Sequence, residues 1–350
     1  EKRYIEIKES LKKIRHQYSN LSLLRKGLYV FIQLLEKIHP ILHKYTFEQF
    51  AHEKWVYFSP NSPASAAMRK AGLQDFVILH DLIPYKLNEY KNFRNMGWFK
   101  KIIASLNKND TYFAVSQATK NDLNLFKDRL DVKKVNVVPL AASEKFKRCA
   151  DENDLVKIQE KYGLPRKKFV FSLCSLEPRK NLLRAVSCFI SFVEKHKIND
   201  LIFVLGGIAG TKIAENLKQE LKGLDASIIL PIGFVDDDDV PVFYSNAEWF
   251  VYTSQYEGFG LPPLEAMQCG VPSIISYQSG CAEILDKCIK TDYWDIHAMA
   301  DAMYSICTNE CLYEYLKVEG IKEVDEITWE KVGHRIRKCY DETIERFNKH

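Results

Sequence analysis

Glu257-Gly258-Phe259-Gly260-Leu261-Pro262-Pro263-Leu264-Glu265-Ala266-Met267 directly follows the apolar run Trp249–Ser254. Its two glycines let the backbone approach a ligand closely, and Pro262-Pro263 end the loop and preset φ for a helix starting near Leu264. A strand feeding such a loop and helix is the repeating unit of a parallel α/β sheet, whose ligands sit at the carboxyl ends of its strands. Working outward, β-branched and aromatic runs alternate with helix-period stretches. Strands are predicted at Trp55–Ser59, Phe76–His80, Thr111–Ser116 and Val135–Leu140, then at Phe169–Ser175, Leu201–Gly206, Ser227–Leu230, Trp249–Ser254, Val271–Ser276 and Cys288–Thr291. Ser116 reads as the N-cap of one helix, and Asn181–Lys195 and Thr328–Lys349 read as others. The pattern is that of two doubly wound domains joined near Ala141–Asp151, with a new helix from about Glu152.

Length and composition agree. At 350 residues the chain holds two domains of roughly 150 residues each, and 46% apolar with 27% charged residues is globular rather than disordered. No apolar run approaches the ~18 residues that cross a bilayer; Gly27–Leu35 is broken by Gln33. Fifty basic against 46 acidic residues, net +4, is too balanced for nucleic acid to be the main partner. Nine cysteines without a Cys-x-x-Cys read as reduced thiols of a cytosolic protein and not as a zinc site. The chain opens at Glu1 rather than Met, so further residues are expected upstream.

The loop and helix at residues 257–267 make an anion site bracketed by two carboxylates, Glu257 and Glu265. Carboxylates repel a diphosphate, so each must face hydroxyls. That suits a ligand with phosphate in the middle and sugars at both ends, a nucleotide-sugar. Glu177-Pro178-Arg179-Lys180-Asn181, after the strand Phe169–Ser175, supplies counter-charge: Arg179 forks two phosphate oxygens and Lys180 acts as a point charge. At roughly 1.5–3 kcal/mol per charge-assisted hydrogen bond, these cations with a helix N-terminus supply about 4–8 kcal/mol of leaving-group stabilisation without a metal.

These residues, with Gly233-Phe234-Val235, Tyr244-Ser245-Asn246-Ala247 and Cys269-Gly270-Val271-Pro272, resemble glycosyltransferase family 4, the retaining group 1 transferases of the GT-B fold. Ser59-Pro60, His80-Asp81-Leu82-Ile83-Pro84, Val115-Ser116 and Val138-Pro139-Leu140 resemble the mannosyltransferase-like branch that builds bacterial surface polysaccharides. The resemblance runs from about Trp55 to the C-terminus. It implies an α/β GT-B architecture of two Rossmann-like domains facing across a cleft: residues 1–145 on the acceptor side, residues 146–327 binding the nucleotide-sugar, and residues 328–350 as a helix crossing back. It further implies that Arg179 and Lys180 hold the diphosphate and that Glu257 binds the transferred hexose. Glu265 would bind ribose, His80 would face the sugar, and Gly258, Phe259, Gly260 and Leu261 would line the donor. Gly206 and Phe234 are added on the donor side. The implied reaction is retaining hexosyl transfer from GDP-mannose, ahead of UDP- or dTDP-hexoses, to a glycan or lipid-linked acceptor. No metal or other cofactor is required. The implied place is the cytoplasm, with peripheral contact at the inner membrane. The family's usual Gly stands replaced by Cys174, Ala141 replaces another, Ser279–Asp286 is compressed around Glu283, and no opening glycine-rich loop is recognisable before Trp55.

Other features have plainer readings. In residues 1–54, eleven basic residues against six acidic ones fit either an anionic membrane surface or a helix packed on a sheet with a solvated charged face. Asp236–Asp239 contains an Asp-x-Asp spacing but precedes Val240–Tyr244, which favours helix capping over a metal site. For His80-Asp81 the plain alternative is a strand-end His with Asp capping the next turn. A non-catalytic binding partner of transferase-like fold is the rival reading of the whole chain.

Overall fold

The computed structural model describes residues 56–59, 68, 74–87, 96–149, 151–175, 177–207 and 226–348. The basic segment 1–54 and residues 208–225 lie outside the described residues. By its internal contacts the chain forms two units, residues 1–78 with 101–112 and residues 79–100 with 113–350.

In the first unit β1 (Val56–Ser59) pairs in parallel with β2 (Gln74–Leu79), in register from Val56 opposite Gln74 to Ser59 opposite Val77. In the second, β3 (Thr111–Ala114) pairs in parallel with β4 (Asn136–Val137), and the Val115 N–H donates to the Leu79 carbonyl at 3.4 Å.

The second sheet is wholly parallel, in the order β10-β9-β8-β5-β6-β7. Its strands are β5 (Lys168–Leu173), β6 (Leu201–Gly206), β7 (Ile229–Gly233), β8 (Phe250–Tyr252), β9 (Ser273–Ser276) and β10 (Ile289–Thr291). Every residue of β6 is buried, as a parallel sheet covered on both faces requires. Alternation assigns the faces. Val170, Trp249, Val251 and Ile274 pack with helix α1 (Leu182–His196) and helix α2 (Ile296–Thr308). Phe171 turns the other way and stacks on Phe243 at 4.9 Å, within helix Val240–Asn246.

All ten predicted strands are present, with shifted ends. The run Ser227–Leu230 opens as the 3-10 turn Ala226–Ile228, and β7 continues through Pro231 to Gly233. Proline cannot donate to a ladder, and β7 tolerates it as an edge strand. Val135–Leu140 narrows to Asn136–Val137. The helix expected near Leu264 begins instead at Pro262 and runs to Gln268, because proline fits the first helical position, and Glu265 therefore lies in its first turn. The Ser116 cap forms, its Oγ accepting from the Thr119 N–H at 3.0 Å, but the helix stops at Asp122 and tightens into a 3-10 turn. Among the described residues no helix is long and apolar enough to cross a membrane.

Candidate active site

The connection from β5 to α1 carries the cations. Pro178–Lys180 forms a 3-10 turn, and Asn181 adopts φ 57° to swing the chain into α1. Arg179 Nε donates to Glu177 Oε2 at 2.9 Å, and Ser175 Oγ braces Glu177 Oε1 at 3.1 Å. The Gln255 N–H donates to the Arg179 carbonyl at 2.6 Å, fastening this turn to the end of β8.

Glu257 meets both cations. Its Oε1 accepts from Arg179 Nη1 at 2.7 Å and from Lys180 Nζ at 2.5 Å. Lys180 Nζ also donates to the Tyr252 hydroxyl at 3.0 Å and lies 5.1 Å from that ring's centre. Glu257 and Lys180 are 7% and 8% exposed, so the pair is held out of water. Burial raises the Glu257 carboxyl, but Lys180 and Arg179 outweigh it and hold the group below its ordinary value. For Arg179 burial pulls the other way from Glu257 and Glu177, and the carboxylates win.

The glycine loop is built against the strand end that carries His80. A Cβ at Gly258 would stand 2.0 Å from the His80 carbonyl oxygen and 2.7 Å from Asp81 Cβ, which only glycine allows. Thr119 Oγ1 bridges the carbonyls of His80 and Gly258 at 3.3 and 3.4 Å. Gly260 adopts φ +93°, and the Phe259 carbonyl accepts from the Cys281 N–H at 2.7 Å and Ser279 Oγ at 3.1 Å. The His80 side chain is exposed. Asp81 makes the turn-capping bond, its Oδ1 accepting from the Ile83 N–H at 3.0 Å. Burial pushes the Asp81 carboxyl up against the pull of that bond and of Arg179.

Glu265 is a separate carboxylate. Its Oε2 accepts from the Tyr244 hydroxyl at 3.3 Å, and burial pushes its pKa to about 7 despite that bond and the charge of Lys145. Gly206 closes β6 against Val235, and Phe234 stands 60% exposed after β7. Asp236 and Asp239 hold Lys161 Nζ at 2.5 and 2.6 Å, and Tyr162 donates to Asp239 at 2.7 Å. Asp239 occupies the N-cap position of helix Val240–Asn246, yet its carboxylate makes no capping bond there.

The structure thus brings Arg179, Lys180 and Glu257 into direct contact and seats Gly258 on His80 and Asp81. It leaves Glu265 with Tyr244. Sequence reasoning missed three partners. Tyr252 sat inside a run read only as strand. Tyr256 donates a short hydrogen bond to Asp122, which also pairs with Lys86 at 2.9 Å. Glu283, passed over because its loop is compressed, accepts from the N–H groups of Gln117 and Ala118 at 2.6 and 2.7 Å; the Ser116 capping signal already marked that helix start.

Comparison with known proteins bears on the fold and on part of the sequence. Residues 156–323 match the family model of glycosyl transferases group 1. A solved structure of Anabaena HepE in complex with UDP superposes with a TM-score of 0.69 at 16% identity, covering 85% of this chain and 82% of that one. The fold is GT-B. Among curated relatives, the serotype-specific mannosyltransferase WbdA of Escherichia coli is 27% identical over 73% of this chain, which spans only 32% of that protein's length. The O-antigen chain mannosyltransferase B of Escherichia coli is 24% identical over 89% of this chain and 80% of its own. Residues 156–323 are thus similar to group 1 glycosyl transferases, and most of the chain is similar to mannosyltransferases.

Proposed function

We propose that this GT-B chain is a retaining, metal-independent hexosyltransferase that moves mannose from GDP-mannose to a glycan or lipid-linked acceptor in surface polysaccharide synthesis. The observation that carries the proposal is the buried Arg179–Lys180–Glu257 cluster at the carboxyl edge of β5 and β8. Two preorganised cations there stabilise a departing diphosphate as its charge develops. Glu257 is the acceptor for hydroxyls of the transferred hexose, and Glu265 for those of the ribose. In this reading the leaving phosphate takes the acceptor proton on the same face of an oxocarbenium-like transition state, which retains the anomeric configuration. His80, exposed at its strand end, faces the sugar.

Mannose is favoured over other hexoses because the relatives just named are mannosyltransferases. Metal independence is favoured because Arg179 and Lys180 provide the counter-charge, whereas Asp236 and Asp239 are already paired with Lys161. The enzyme would work in the cytoplasm at an anionic membrane face, which flotation with anionic liposomes tests; no flotation at low salt refutes that placement.

Calorimetry with GDP, UDP, dTDP and ADP, each with Mg²⁺ and again with chelator, tests the core of the proposal. Binding of GDP alone, unchanged by chelator, is the expected result. Binding of none supports the non-catalytic alternative, and binding abolished by chelator refutes metal independence.

A further inference from the structure

On the sheet face opposite Phe243, α1 and α2 leave a groove of about 630 Å³ between them. Ser187, Ser191 and Lys195 line it from α1, and Asp301 and Tyr304 from α2. Tyr304 stacks on His196 with ring centres 4.5 Å apart and is still 44% exposed. Toward the start of α1, the Arg184 guanidinium lies 4.4 Å from the Trp294 ring centre, and Trp294 is 60% exposed. From Arg184 to His196 is twelve residues of one helix, about 18 Å at the α-helical rise. Tyr304 therefore stands in water within the groove and Trp294 in water beyond its lining toward the other end of α1, with hydroxyls, a carboxylate and an ammonium between them.

Exposed large aromatics beside a groove mark a binding surface, and the chemistry between them limits the ligand. Cys188, Phe192, Ile296 and Ala300 give the groove an apolar floor between these polar side chains. A pyranose has an apolar C–H face for an aromatic ring and a rim of hydroxyls for Ser, Asp and Lys side chains. We propose that this groove is a glycan-holding site, separate from the Arg179–Lys180–Glu257 cluster, that takes a neutral oligosaccharide. Asn181, next to Lys180, donates to the Tyr293 carbonyl at 2.8 Å, so the chain beside Trp294 is fastened to the turn that carries the cations. The choice of saccharide as ligand rests on the transfer reading above, but the groove is tested by binding alone.

The experiment is calorimetric titration of the full chain with mannohexaose and, independently, with GDP. Trp294→Ala, Tyr304→Ala, their double variant and Lys180→Ala are compared, and thermal melting verifies the fold of each. Expected are saturable mannohexaose binding, tenfold or more weaker in each single aromatic variant and lost in the double, with Lys180→Ala binding the oligosaccharide as the parent does. GDP affinity should be unchanged in the aromatic variants. No mannohexaose binding to the parent, or binding lost in Lys180→Ala and kept in the double variant, overturns the groove. GDP failing while mannohexaose binds at Trp294 and Tyr304 overturns GDP-mannose as the donor and leaves the groove standing.

Discussion

Replacing Glu265 by Gln should stabilise the ligand-free protein by an amount that grows as pH rises from about 4.5 to 7. This half-buried carboxyl has its pKa pushed from an ordinary 4.5 to about 7, with Tyr244 its hydrogen-bond donor. The folded state therefore holds this proton more tightly than the unfolded state. The sign follows: stability from this group is complete below about 4.5, falls as pH rises toward 7, and levels off above that. At about 1.36 kcal/mol per pH unit the ceiling is ~3 kcal/mol, and partial solvent access reduces the expectation to about 1–2 kcal/mol. Gln keeps an acceptor for Tyr244 and the shape of the protonated acid, so the variant and parent should match near pH 4.5 and diverge up to pH 8. Denaturant melts of both proteins at pH 5, 6, 7 and 8 measure the difference directly, since every other titrating group cancels between them. A difference that stays flat across this range refutes the account of Glu265 as a carboxylate penalised by burial. If Glu265 also receives ribose hydroxyls, the stabilised variant should bind GDP more weakly than the parent.

Lys180→Ala and Glu257→Gln should each lower turnover by about 10²-fold or more, as loss of an electrostatic transition-state group does, with steady-state transfer assays as the measurement. Parent-like rates in both would remove the cluster from the mechanism. Tyr252→Phe keeps the ring under Lys180 and loses one hydrogen bond to a charged group, so a transfer assay should show a loss of about tenfold, from ~1.5 kcal/mol. Gly258→Ala drives a methyl group into the His80 carbonyl, and thermal melting should show a loss of several degrees together with loss of GDP binding. Glu283→Gln leaves one of the N–H groups of Gln117 and Ala118 without a charged acceptor, and should cost about 1–2 kcal/mol in denaturant melts.

The sheet was legible because its strands are short apolar runs with turn chemistry between them, and that signal depends on nearest neighbours in sequence. Strand ends were less so. Pro231 reads as a stop until its strand is known to lie at an edge, and edge position is a property of the whole sheet. The cluster was legible in part for a related reason. Arg179-Lys180 and Glu257 each follow a predicted strand, and parallel topology puts all carboxyl ends on one side, so their convergence needed no distance information. Tyr252, Tyr256 and Glu283 were not legible, because their partners are 72, 134 and 166 residues away and their own neighbourhoods read as strand, loop and loop. Glu265 shows the limit most clearly: its charge was visible in sequence, whereas its raised pKa comes from burial that only tertiary packing creates.

The resting cluster also constrains how a donor must bind. Arg179 lies between Glu177 and Glu257, and Lys180 between Glu257 and Tyr252, so both cations already have anionic or polar partners. Breaking a buried pair is costly unless a new partner arrives with comparable geometry. A diphosphate satisfies that condition, because its oxygens replace Glu257 oxygens on the same two donors. The exchange turns Glu257 from an ion-pair partner into a free acceptor at the moment the sugar arrives. On the transfer reading, hexose hydroxyls and diphosphate therefore bind cooperatively: a sugar without diphosphate finds Glu257 occupied, and a nucleotide without sugar leaves a buried carboxylate unpaired. GDP alone should consequently bind more weakly to the parent than to Glu257→Gln, whereas the intact nucleotide-sugar should show the opposite order in the same calorimeter. Equal affinities of the two proteins for both ligands would refute the exchange.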